Sequence, residues 1–231
     1  MHFELPKLPM RGFKDFAKHY LMIVLSILTA LGLEAWIEHA HHQSSAEVAS
    51  AQIEAEIRAN LAEVDADAKE DARQVQRLDE IREAVTRDLK SNMPENLASQ
   101  HILAMTKSGF DLHLKFPTLR HEAWDVAVAN QSASWIERAR MQRYSAAYAN
   151  ARDSVTLMTE DTAILMNGTG MVDTIADMET GQVQPRQFLH VVSQMRAMVE
   201  QTTQNLQVLK KQLEAALPDA DHVSTKAVHA P

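Results

Sequence analysis

At 231 residues the chain is long enough for one ordinary domain and an additional element, and its lack of cysteine excludes disulfides, thiolate nucleophiles and cysteine-ligated metal centres. Six glycines, seven prolines and 5% aromatics, beside abundant Ala, Glu, Gln, Leu, Met and Arg, favour helices joined by aliphatic seams over a β-sandwich. The charge of −8 is uneven: residues 1–18 carry Lys7, Arg11, Lys14 and Lys18 against Glu4 and Asp15, a net +2, so an acidic body of −10 remains, with no basic face for nucleic acid.

From Tyr20 to Leu33 no residue is charged; Glu34 interrupts, and Ala35-Trp36-Ile37 continue to Glu38. The 19 residues between Lys18 and Glu38 approach the roughly 20 needed to cross a hydrocarbon core of about 30 Å. Tyr20 and Trp36 fall where amphipathic aromatics favour the two interfaces, and Lys14 and Lys18 flank one end while the next cation is Arg58. The pattern predicts a transmembrane anchor with its N-terminus in the cytoplasm. A cleaved signal peptide fits less well, because the basic segment is long and Glu34, Trp36, Glu38 and His39 occupy the positions where cleavage needs small residues. Glu34, about one turn inside the outer interface, either reaches the headgroups or contacts a neighbouring transmembrane segment through an Arg, Lys or hydroxyl. It is the candidate intramembrane contact. Ser26, Thr29, Ala30 and Gly32 are small but too loosely spaced to form a dimerisation motif.

No proline or glycine occurs between Gly32 and Met93, and apolar residues recur every three or four positions at Ile53, Ile57, Leu61, Val64, Ala68, Val75, Leu78, Val85 and Leu89. One long amphipathic helix is expected, continuous with the anchor or broken near His41–Ser45. A short helix capped by Asn92 follows to about Lys107, then an extended connection over Asp111–Pro117. Thr118 is expected to cap a helix holding Trp124, Val126 and Val128. Ser134-Trp-Ile-Glu137 reads as a capping box opening a helix with Met141, Tyr144, Tyr148, Ala151, Val155, Met158 and Leu165 on one face. Asn167-Gly-Thr-Gly170 is expected to end it. That turn is no P-loop, since it follows a helix and lacks the Lys-Ser/Thr. A short helix over Met171–Thr180 and a last long helix from Pro185 complete the pattern, the latter with a seam at Val192, Met195, Val199, Thr202, Leu206, Leu209, Leu213 and Ala216. The fold expected is all-α: a transmembrane helix leading into a long amphipathic helix and an antiparallel helical bundle. The divisions are 1–18 cytoplasmic, 19–38 anchor, 39–217 extracytoplasmic bundle and 218–231 disordered tail.

Eleven histidines raise a metal hypothesis. His39 and His42 are i, i+3 neighbours beside Glu38, and His121 stands beside Glu122 and Asp125 with Asp111 and His113 nearby. His121-Glu122 begins like a zincin helix, but position 125 is Asp where that motif requires His. These are candidate ligands without a complete set, so no cofactor and no catalytic residue is assigned. No nucleophile elbow, dinucleotide turn or paired Glu-x-x-His is present in the sequence.

Leu31-Gly-Leu-Glu-Ala-Trp-Ile37, Glu56-Ile57 and Asn60 in the first long helix, and Glu122-Ala-Trp124 ahead of Tyr144 and Tyr148, resemble segments of uncharacterised bacterial single-pass membrane proteins with a helical extracytoplasmic domain, widespread in proteobacteria. The resemblance covers the chain to about Leu217. It implies an envelope location and brings no activity, cofactor or site residue; with the orientation of the anchor, the location expected is the bacterial inner membrane with the C-terminal domain in the periplasm. The function expected is non-enzymatic: a scaffold, an accessory subunit of other membrane proteins, or a homo-oligomeric envelope component. The alternatives are a ligand-sensing bundle that signals through a partner and a metal-dependent enzyme.

Overall fold

The computed structural model of the chain describes residues 12–107, 115–166 and 169–218, with backbone alone for Asp15, 161–166 and Thr169. The described residues are all-helical, with six α-helices, one 3-10 turn and no strand.

The first helix, α1, runs unbroken over Phe13–Lys90, 78 residues or about 117 Å at 1.5 Å each. No break occurs at His41–Ser45; nothing in that stretch removes a backbone donor or favours positive φ. Its end is a Schellman turn. Asn92 takes a left-handed φ of 56°, its N–H donates to Leu89 O, and the Met93 N–H donates to Asp88 O. Asn92 therefore terminates α1 rather than capping the next helix, and Pro94 holds the N-cap position of α2 (Glu95–Thr106). Most of the expected extended connection lies outside the described residues; 115–120 are non-helical. The helix α3 spans Glu122–Ala129 with His121, not Thr118, at its N-cap; Thr118 lies three residues earlier, its N–H donating to Glu63.

The expected capping box at Ser134 does not form. Ser134 belongs to the 3-10 turn Ser132–Trp135 and its hydroxyl donates to Gln131 O. Glu137 caps α4 (Arg138–Met166) by itself, its carboxylate accepting the Ala139 and Arg140 N–H groups at 2.9 Å each. These bonds hold the exposed Glu137 carboxyl below its ordinary pKa. The helix α5 spans Thr169–Thr180, so Thr169 and Gly170 lie inside a helix rather than in the expected turn; 167 and 168 are outside the described residues. Pro185 opens α6 (Pro185–Ala216) as expected. The anticipated tail, 219–231, lies outside the described residues.

Helix α6 runs antiparallel to α1. Lys210 pairs with Asp65 at 2.5 Å and Arg196 with Asp79 at 3.0 Å, contacts spaced fourteen residues apart on each helix. Helix α4 runs parallel to α1, as Arg140, Tyr144 and Tyr148 meet Glu47, Glu54 and Glu56 in turn. All eight expected seam residues of α6 are buried. Two apolar clusters result. Ile53, Ile57 and Val64 pack with Tyr144, Tyr148, Met158, Leu206, Leu209 and Leu213 in one. Leu78 and Val85 pack with Ile102, Phe188, Val192 and Met195 in the other. Between them the inward stripe of α1 places Asp71, only 2% exposed, with Oδ2 unpartnered among the described residues. Burial, reinforced by Asp67 and Glu70, pushes this carboxyl up to about 7.

Before Ala46 the same helix is bare. Leu21, Ile23, Leu25, Leu28, Leu31 and Ile37 are each more than half exposed. This stretch is long and apolar enough to cross a membrane, and none of its most apolar window is buried.

Candidate functional site

Spacings of four and three residues put Glu56, Asn60 and Glu63 on one face of α1, alongside Ile53, Ile57 and Val64. The segment 118–123 has backbone donors that no helix satisfies, and this polar row takes them up. Thr118 N–H donates to Glu63 Oε1 at 2.7 Å, and Arg120 N–H to Asn60 Oδ1 at 2.8 Å. Asn60 Nδ2 returns a bond to Arg120 O at 2.8 Å, and Ala123 N–H, in the first turn of α3, donates to Glu56 Oε2 at 2.9 Å. Asn60 is 1% exposed, so its amide is committed to this clamp.

Glu56 also accepts the Tyr148 hydroxyl at 2.5 Å, and Glu54 accepts that of Tyr144 at 2.6 Å. Burial and then the carboxylate partner drive both phenols well above their ordinary range, which keeps them protonated as donors to these carboxylates. Trp124 lies nearly parallel to Tyr148, with ring centroids 5.3 Å apart.

Above this pair opens a cleft of about 540 Å3 between α3, its preceding connection and α4, lined among others by Arg120, His121, Trp124, Tyr148, Arg152 and Val155. His121 Nδ1 lies 2.7 Å from Asp125 Oδ2, and that bond raises the exposed imidazole's pKa. Neither Arg120 nor Arg152 has an ion-pair partner among the described residues. The lining thus combines the aromatic Trp124 with the cations Arg120 and Arg152.

The other sequence candidates are dispersed. Glu34 is exposed on the bare part of α1, sharing a shallow groove with Ala30, Leu33, Ile37, Glu38 and His41. His42 Nε2 is 3.4 Å from Glu38 Oε1 and its ring stacks on Trp135 at 3.7 Å, while His39 faces outward. Glu122 turns back to accept the His121 N–H at 3.2 Å, and Asp111 and His113 lie outside the described residues. No three His, Asp or Glu side chains converge as a metal site among the described residues. Arg120, Arg152 and Glu63 were not candidates in the sequence. The available signal was a buried-side asparagine between Ile57 and Val64, a polar residue where the seam predicts an apolar one.

Neither a protein-family model nor any curated protein or solved structure matches the chain.

Proposed function

We propose that the chain is a non-enzymatic, single-pass membrane protein of the bacterial envelope, serving as a scaffold, accessory subunit or homo-oligomeric component. The observation that carries this reading is the change in α1 from wholly uncovered apolar helix before Ile37 to central strut after Ala46, without a break. In water such a bare surface far exceeds the few hundred Å2 a soluble monomer leaves uncovered, whereas a bilayer covers it.

On this reading 19–38 is the anchor, 1–18 is cytoplasmic, and 39–217 is an antiparallel bundle in the periplasm. The cationic flank at Lys14 and Lys18 supports that orientation. Trp135, half exposed and stacked on His42 about 6 Å beyond Glu38, suits the headgroup level and steadies the base of the bundle. Because α1 is continuous, a tilt of the anchor becomes a tilt of the bundle, which fits a part that couples to neighbours in the membrane. Glu34 supplies the polar contact for such a neighbour's Arg, Lys or hydroxyl.

The test is alkaline carbonate extraction of native membranes, then mild-detergent purification with the mass and composition of the intact particle. The chain should stay with the membrane and emerge with other subunits in fixed ratio or as a defined homo-oligomer, and Glu34→Leu should loosen that assembly. Release by carbonate would remove the anchor from the account. Emergence alone and monomeric would remove the scaffold.

A further inference from the structure

The cleft above Trp124 and Tyr148 has no part in that reading, and its composition sets it apart from the rest of the surface. We infer that it is a binding site for a small soluble organic anion with a flat apolar body. At about 540 Å3 it falls within the roughly 300–1,000 Å3 of small-molecule sites. Trp124, partly exposed and stacked on the buried Tyr148, lies in the lining with Leu119, Ala151 and Val155, and supplies aromatic and aliphatic surface for a planar ligand.

The rim decides the sign of the charge. This chain has 31 acidic residues against 23 basic ones, and Arg58, Arg73, Arg82, Arg87, Arg140 and Arg196 are each paired with a carboxylate. Arg77, Arg120, Arg138, Arg152 and Arg186 have no such partner among the described residues, and of these Arg120 and Arg152 share one cavity. Two guanidiniums left open at one small cavity suit a carboxylate, sulfonate or phosphate, which a guanidinium meets with two parallel hydrogen bonds. Asp125, the one carboxylate in the lining, bonds His121 Nδ1 rather than either arginine, and protonation of His121 offsets its charge and gives Nε2 a proton to donate.

Glu56 bonds both Tyr148 and Ala123, so the cleft sits at its level, 18 residues past Glu38 and therefore about 27 Å along α1. On the anchored reading, and on this point alone the inference rests on it, a headgroup held in the bilayer is out of reach. The occupant is a soluble molecule.

Isothermal titration of naphthalene-1,5-disulfonate into the full chain in phosphatidylcholine nanodiscs, with empty discs as the blank, tests this directly. One saturable site per chain is expected, weakened at least about tenfold by the double change Arg120→Gln/Arg152→Gln and by added salt. Val155→Trp, at an exposed position on the lining, should abolish binding without altering the melting profile. Naphthalene-1,5-diol, with the same rings and no charge, should bind at least about tenfold more weakly. No saturable heat above the blank, equal affinity in the double variant, or equal affinity for the diol would each overturn the inference. So would loss of the site in phosphatidylglycerol nanodiscs, which would give it to a lipid headgroup. Carbonate extraction is blind to all of these changes, so failure here and failure of the anchor are separable.

Discussion

Replacing Asn60 with alanine deletes two hydrogen bonds at once, because its amide donates to Arg120 O and accepts from Arg120 N–H, each at 2.8 Å. A net hydrogen bond contributes about 0.5–1.5 kcal/mol, and a buried group left unpaired costs about 1–3 kcal/mol. Asn60 is 1% exposed, but Arg120 is exposed at its outer side, so water can restore part of the loss on that partner. The expected destabilisation of Asn60→Ala is therefore about 1–3 kcal/mol, a large share of the roughly 5–15 kcal/mol that holds a domain folded. For a chain of this size each kcal/mol lowers the melting temperature by about 2–4 °C. Denaturant unfolding of the solubilised full-length chain measures the loss. Amide exchange adds the diagnostic: Thr118, Arg120 and Ala123 should exchange faster, while amides in the middle of α6 keep their protection until global unfolding. Gln100→Ala, on the exposed face of α2, serves as control and should stay within about 0.5 kcal/mol. A loss below about 0.5 kcal/mol for Asn60→Ala, with exchange at 118–123 unchanged, would show that the clamp does not hold this segment.

Leu209→Ala, at a wholly buried position of the α1–α4–α6 core, should cost about 2–5 kcal/mol in the same unfolding experiment. The N-terminus of α4 separates two caps: Glu137→Ala should cost about 0.5–2 kcal/mol, and Ser134→Ala well under that, the reverse of what a capping box at Ser134 requires. Asp71 makes stability depend on pH. Its folded pKa, about 7, lies above the ordinary 3.8, so between these values the unfolded chain loses a proton that the folded one retains, and stability falls as pH rises from about 4 to 7. Asp71→Asn should flatten that fall and raise the melting temperature at pH 8; an unchanged slope would show that the carboxyl is solvated in the folded chain.

How much was legible in advance follows from the range of the interactions. Helix periodicity is local, and α6 shows its reach: all eight seam residues, Val192 to Ala216, are buried because a three–four pattern already determines which face must leave water. The absence of Pro and Gly between Gly32 and Met93 indicated one long helix while leaving a break near His41–Ser45 open, and the uncharged run indicated a stretch of spanning length. Cap positions were misread where two local solutions compete. Asn92 favours both a helix start and a left-handed helix end, and Glu137 can complete a box or cap alone; only the path of the flanking chain selects between them. The cleft was out of reach altogether. Tyr148 in its lining is held by Glu56, 92 residues away, and Arg120 by the Asn60 clamp, 60 residues away. Nothing periodic links such partners, and Arg120 or Arg152 read singly is an ordinary surface cation. The sequence by itself determined most of the helical segments and the inward face of α6, but not the helical state of Thr169 and Gly170 or the exposure of Val155. The tertiary structure alone decided that the polar row Glu56–Asn60–Glu63 would bind another segment's backbone, because those donors become orphans only where the chain leaves one helix without yet entering the next.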